Sequence, residues 1–256
     1  MRSKPSGKPE PEVPAPLRRL WRLPTGSHRG RPAGLDVDRV IGTALELADR
    51  GGLAGATLPK VAEVLGVTKM SLYRYVGSKE ELFDLMSDLA IGPPPEISER
   101  AGWRAGTQQW ILANRQVYER HPWLAHLPIS GPPRGPHAIA WMDAMFRALR
   151  GTGLGWQAKV GILNLVGGYV RSSSAQEQQL AHARQEIGLD QAQSEQDYGR
   201  ALAGLVEPDR YPEAAELFAS DVFESPLPQG TDGSFRFGVE LILNGIDTLI
   251  TATRTR

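Results

Sequence analysis

The segment Lys69 to Lys79 reads KMSLYRYVGSK, and it concentrates side chains that can bind but not readily catalyse. Lys69 and Arg74 can reach guanine edges or phosphates. Ser71 can serve either, the Tyr73 and Tyr75 hydroxyls suit phosphate oxygens, and Met70 offers an apolar tip. Lys79 follows where a new helix should begin, so backbone N–H groups would join its ammonium in favouring an anion. A polyanion with readable edges, double-stranded DNA, is the partner this chemistry fits. The same side chains on a plain helical bundle would be an ordinary solvated face.

The elements that must position these residues follow from spacing. Asp36 is placed to cap a helix whose stripe is Val40, Ala44, Leu47 and Ala48, ending near Gly51-Gly52. Thr57 caps a second helix with Leu58, Val61, Ala62 and Leu65 inward, and Pro59 is tolerable in its first turn. Gly66 supplies a left-handed stop, and Thr68 caps a third helix that turns Leu72 and Val76 inward. Two short helices joined by a tight glycine turn form a helix-turn-helix, which leaves the second helix free to enter a major groove. Ser78 and Glu81 have the spacing of a capping box for a fourth helix, with Leu82, Leu85, Met86 and Leu89 on one face.

Further helices are predicted over Trp103–Arg120, Pro136–Arg150, Trp156–Ile187, Gln191–Val206, Glu213–Ser220 and Phe235–Thr253, with no strand pattern. The fold class is therefore all-α: an N-terminal helix-turn-helix domain over residues 34–91 and a larger helical regulatory and dimerisation domain over 97–256. Residues 1–33, rich in proline, read as a disordered basic extension, with at most a transient turn around Trp21.

Charge is distributed to match. The net charge is zero, yet residues 1–34 hold eight Lys/Arg against two acids, and residues 83–256 hold fifteen against twenty. A basic front and an acidic rear present one end to a polyanion. Cysteine is absent, which excludes disulfides and thiolate metal sites. His121 and His126 lack a third ligand, so no metal and no cofactor is expected. No G-x-S-x-G elbow, Walker loop or H-E-x-x-H occurs, so an enzyme is not expected. The absence of a leader pattern and of a spanning apolar run predicts a cytoplasmic protein without a membrane partner. A helical adaptor that binds only proteins is the other class compatible with these features.

The string from Gly52 to Leu85 resembles the DNA-binding domain of the tetracycline-repressor (TetR) family. Leu65-Gly66-Val67 falls at the turn and Ser71-Leu72-Tyr73-Arg74-Tyr75-Val76 on the recognition helix. The resemblance implies a repressor that binds a palindromic operator as a homodimer and is released by a small-molecule effector. It assigns DNA contact to Thr57, Thr68, Lys69, Met70, Ser71, Tyr73, Arg74 and Tyr75, and a phosphate to Lys79. Pro59 stands where relatives often carry a DNA-contacting arginine. Arg29-Gly30-Arg31-Pro32 resembles the core of AT-hook peptides, which lie in a narrow minor groove, although a generic basic tail would read the same way.

The rear half is similar to the regulatory domain of the same family. The likeness rests on His121-Pro122-Trp123-Leu124-Ala125, Gly167-Gly168-Tyr169-Val170, and Phe235-Arg236-Phe237-Gly238 leading into Ile242-Leu243-Asn244-Gly245. It implies dimerisation through helices near 156–187 and 235–253 as a four-helix bundle. It also implies an effector pocket walled by Trp110, Asn114, Met142 and Met145, with Trp141 and Tyr169 as further candidates. For each of these, plain core packing is the competing role. The family's metal-chelating histidine has no counterpart, since Pro128 falls near that position, which argues against tetracycline itself.

Overall fold

The computed structural model describes residues 13–24, 36–98, 100–129, 131–188, 191–224 and 230–255, and among them every regular element is helical. In chain order these are α1 (Ala15–Leu20), α2 (Val37–Gly55), α3 (Leu58–Leu65), α4 (Lys69–Val76), α5 (Lys79–Ile91), α6 (Gly102–Arg120), α7 (Pro136–Ala148), α8 (Trp156–Ile187), α9 (Gln191–Ala203), α10 (Pro212–Ala219) and α11 (Gly230–Arg254). They group into two compact units. One runs to Pro95 and takes in Leu127–Ala144; the other comprises Glu96–His126 and Met145 onward. The division differs from a simple cut after residue 91, because the chain from Leu127 to Ala144 belongs with the N-terminal helices.

In the first unit α2 packs on α3, α4 and α5. Val40, Ile41, Ala44, Val61, Leu72, Val76, Leu82 and Met86 are fully buried and form its core, each large side chain contributing about 1.5–3 kcal/mol of transfer free energy. The helices expected from spacing are present with small changes. α2 continues to Gly55 across a kink where Gly51 and Gly52 leave helical geometry, Gly52 at φ 61°. On α5 Leu89 is exposed rather than inward, and Asp88 occupies the buried position. The reason is a polar partner: Asp88 Oδ1 accepts from Ala138 N at 3.0 Å and Oδ2 from His137 N at 3.4 Å. The carboxylate thus caps α7 from a neighbouring helix, satisfying N–H groups that its own first turn cannot. Gly135 is required there, since a β-carbon would lie 1.9 Å from Asp88 Oδ1. Trp141 Nε1 donates to Gly92 O at 2.9 Å and ties the same helix to the end of α5.

The expectation of an unordered extension is corrected for residues 13–24. Pro16 in the first turn starts α1, which packs on α5 with Leu20 buried. Its last residues are held by Trp21 Nε1 donating to Arg134 O at 2.8 Å and by an Arg22–Asp38 ion pair, also 2.8 Å. One buried leucine and these fixed partners supply what an isolated six-residue helix cannot. The remaining residues of the extension, Arg29 and Arg31 among them, lie outside the described residues.

In the second unit α6 and α8 pack along each other, and the turn Pro122–His126 folds against both. Ile111, Val117, Met145, Leu149, Val166, Val170 and Leu243 are buried there. Arg115 stacks 4.4 Å over the Phe235 ring and pairs with Glu177 at 3.2 Å. Tyr198, Phe218 and Phe223 close a small aromatic cluster joining α9 and α10. A second face of α8 and α11 is left apolar and open. Trp156, Val160 and Leu165 on α8, and Phe237, Leu241 and Leu249 on α11, are all exposed. Trp156 and Val160 stand one turn apart on α8, as do Phe237 and Leu241 on α11.

Candidate nucleic-acid interface and effector residues

The geometry of α3 and α4 is decided by the turn between them. Gly66 adopts the left-handed conformation, φ 67° and ψ 31°, with Gly66 N bonded to Glu63 O and Val67 N to Ala62 O. Those bonds satisfy carbonyls at the end of α3 and turn the chain at least steric cost. Thr68 then caps α4: its hydroxyl accepts from Ser71 N at 3.3 Å and lies 3.0 Å from Ser71 Oγ. Leu72 and Val76 are wholly buried, which fixes the rotation of α4 about its axis.

That rotation presents the expected residues outward. Thr68, Lys69, Met70 and Arg74 are exposed, and Ser71, Tyr73 and Tyr75 half-buried. Met70 is 73% exposed, an apolar side chain in water with no packing role in this chain. Lys69 Nζ lies 5.8 Å from the Tyr73 ring centroid, so the ammonium and the phenol share one face. Thr57 occupies the N-cap of α3 but makes no side-chain cap bond, unlike Thr68. Apart from the buried Leu72, each residue from Thr68 to Tyr75 thus keeps some exposed surface.

Lys79 is the first residue of α5, exposed, with Nζ 5.3 Å from the Phe83 ring. The adjoining cap differs from the expected capping box. Ser78 Oγ accepts from Glu81 N at 3.1 Å, as a box requires. The reciprocal bond is missing, because Ser78 N donates to Val76 O and the Glu81 carboxylate is taken by Arg19. Glu80, in the same first turn, has its carboxyl held below the usual value, first by its own backbone N–H and then by the Ser78 hydroxyl and Lys79. Sequence reasoning missed Arg19 and Asp88. The only signals were a proline placed to start a helix before Leu17 and Leu20, and an acid interrupting the inward face of α5.

The effector-pocket candidates fall into two groups. Trp110 and Met145 are buried in the second unit, and Asn114 lies half-buried one turn beyond Trp110 on α6. Trp141 and Met142 lie on α7 within the first unit. Trp141 and Tyr169 have their polar atoms engaged within the chain. The Trp141 indole N–H is bonded to Gly92, and the Tyr169 hydroxyl donates to Phe235 O at 3.0 Å while its ring stacks on Phe235. Gly238 permits that approach, since a β-carbon would lie 2.0 Å from the hydroxyl. Among the described residues no cluster of His, Asp and Glu could hold a metal ion, and no helix is long and apolar enough to cross a membrane.

Comparison with known proteins agrees with this arrangement. The family described as "Bacterial regulatory proteins, tetR family" matches residues 40–86, and "Tetracyclin repressor-like, C-terminal domain" matches residues 95–250. The chain is 32% identical over 246 residues to the HTH-type transcriptional repressor DrrR1 of Streptomyces coeruleorubidus, covering 95% of this chain and 88% of that one. Apo ActR from Streptomyces coelicolor superposes with a TM-score of 0.68 at 24% identity, over 86% of this chain and 99% of that one. The same protein in complex with actinorhodin also gives 0.68, at 23% identity over 85% and 99%. With both halves matched, in order and over nearly the whole chain, this protein belongs to the TetR family of transcriptional regulators.

Proposed function

We propose that this protein is a ligand-responsive transcriptional repressor of the cytoplasm. It binds a palindromic operator as a homodimer through α4 and leaves DNA when a small-molecule effector binds. The observation that carries the reading is α4 itself: two fully buried residues, Leu72 and Val76, and an outer side on which Lys69, Met70 and Arg74 are exposed and Tyr73 half-buried. In this reading Lys69, Met70, Ser71, Tyr73 and Arg74 meet base edges and phosphates, Tyr75, Thr57 and Thr68 meet phosphates, and Lys79 at the head of α5 holds another phosphate.

Exposed apolar residues on α8 and α11, Phe237 and Leu241 one turn apart among them, support the dimer, since a second copy would cover them. Two recognition helices about 34 Å apart would then read successive major grooves. The effector side rests on family membership and on a relative solved with actinorhodin. Trp110, Asn114 and Met145 in the second unit and Met142 in the first remain the proposed effector contacts, residue types suited to a mostly apolar molecule. Trp141 and Tyr169 are better described as positioning their helices. The mechanism is linkage: an effector that favours the form unable to span two half-sites lowers the DNA-bound population.

The test is selection of duplexes from random-sequence DNA by the full-length protein, followed by fluorescence anisotropy on a recovered site. Recovery of a palindrome, with binding lost by at least tenfold in Lys69→Ala/Arg74→Ala, is expected. Failure to enrich any sequence at low salt would refute the repressor reading.

A further inference from the structure

We propose that Arg19, on α1 of the N-terminal extension, is a working part of the DNA-facing surface. It cancels the negative charge of Glu81, two residues after Lys79 in the first turn of α5, and thereby admits a phosphate to the amino end of that helix. The inference rests on the reading of Lys79 as a phosphate contact.

The geometry is specific. Glu81 lies in the first turn of α5, two residues after Lys79. Arg19 Nε donates to Glu81 Oε2 at 2.8 Å, and Nη2 donates to the same oxygen. Both side chains are largely covered, at 25% and 20% exposure, so the pair is shielded from full solvent screening. It sits over Gly77, the residue joining α4 to α5: a β-carbon there would lie 2.4 Å from Glu81 Oε1 and 2.5 Å from Arg19 Nη2. Gly77 itself has φ 73°, the left-handed region that favours glycine. The pair therefore occupies the junction between the recognition helix and the helix that carries Lys79.

Charge explains why the contact matters for binding. The first turn of α5 contains Lys79 against Glu80 and Glu81. Two carboxylates beside one ammonium would oppose an approaching phosphate, although the N–H groups of the helix end favour it. Arg19 restores balance by neutralising the carboxylate nearest the α4–α5 corner. Three contacts deliver it: buried Leu20, the Trp21 bond to Arg134 O, and the Arg22–Asp38 pair. Arg19 acts through Glu81 and is thus a positioning and charge-balancing residue.

The experiment uses the full-length protein and a 30-base-pair duplex recovered by the selection above, with affinity read by anisotropy. Arg19→Gln is expected to weaken binding about threefold to tenfold near 0.1 M salt, with the difference shrinking toward 1 M. Arg19→Gln/Glu81→Gln should return affinity to within about twofold of wild type, since no carboxylate is left to cancel. A merely structural role for Arg19 would not be rescued this way, because the neutral pair cannot rebuild the ion pair. Arg19→Lys, which keeps the charge, should bind nearly as wild type. Unchanged affinity in Arg19→Gln, or a double variant as weak as the single, overturns the proposal. Lys79→Ala is run beside them: loss there with none in Arg19→Gln refutes the Arg19 inference alone, while no loss in Lys79→Ala refutes the phosphate reading beneath it. Thermal melts by circular dichroism confirm that each variant is folded, and Glu81→Gln alone serves as a second folded reference that should bind at least as tightly as wild type.

Discussion

Replacing Asp88 with alanine should loosen the start of α7 far more than a surface substitution would. Asp88 is 8% exposed and its carboxylate accepts from two backbone N–H groups, Ala138 N at 3.0 Å and His137 N at 3.4 Å. The His137 ring nitrogen Nδ1 lies 3.3 Å from Oδ2 and 2.9 Å from the Asp88 carbonyl oxygen. A lost helix cap costs about 0.5–2 kcal/mol, and a hydrogen bond to a charged group about 1.5–3 kcal/mol. Both figures describe the same capping bond and the 3.4 Å contact is long and adds little, so the cost is in the upper part of the charged-bond range, about 2–3 kcal/mol. If local opening governs exchange, amides over residues 136–144 should lose protection by about 30-fold to 150-fold. Asp88→Asn keeps one acceptor and should cost about half as much. The assay is hydrogen exchange read by mass spectrometry, with the α3–α4 peptides as an internal reference. Unchanged exchange over 136–144 in Asp88→Ala would show that the carboxylate is not the cap, and the argument from Gly135 would fall with it.

Two further outcomes follow from the second unit. Phe237→Glu/Leu241→Glu places charge on residues that are 68% and 57% exposed, so the chain should still fold while sedimentation shifts from dimer to monomer. A folded dimer at micromolar concentration would instead mean that this face is not the interface. Tyr118 ionises above the ordinary tyrosine range because burial opposes the phenolate, an effect partly offset by Arg171. Its raised value means that the folded state keeps the proton longer than the unfolded chain. The stability tied to that proton is full below about pH 10 and is lost as pH rises through the folded value. Alkaline denaturation should accordingly be shallower in Tyr118→Phe, and identical curves would discount the burial.

The recognition unit is largely legible in the sequence. Gly66, Thr68, Leu72 and Val76 act within a few residues of one another, and local sterics, capping and helical period set their arrangement. The long helices α6, α8 and α11 are legible for the same reason: α8 has the predicted bounds, α6 begins one residue earlier, and α11 runs from Gly230 to Arg254. Inward and outward faces are less secure. Leu89 carries an apolar side chain yet is exposed, because Asp88 beside it is drawn inward by N–H groups 50 residues away in the chain.

The candidate site shows the same boundary. The amino acids themselves determined that α4 would carry cations and hydroxyls outward, since only Leu72 and Val76 could be buried at helical spacing. Tertiary structure alone decided that Tyr169 and Trp141 spend their polar atoms on Phe235 and Gly92. It alone decided that Glu81 answers to Arg19 rather than completing a capping box. Local rules count partners along the chain, whereas a carboxylate or an indole N–H takes the partner that folding brings within reach. The six-residue α1, too short to be stable alone, is held because Leu20 is buried where α1 packs on α5.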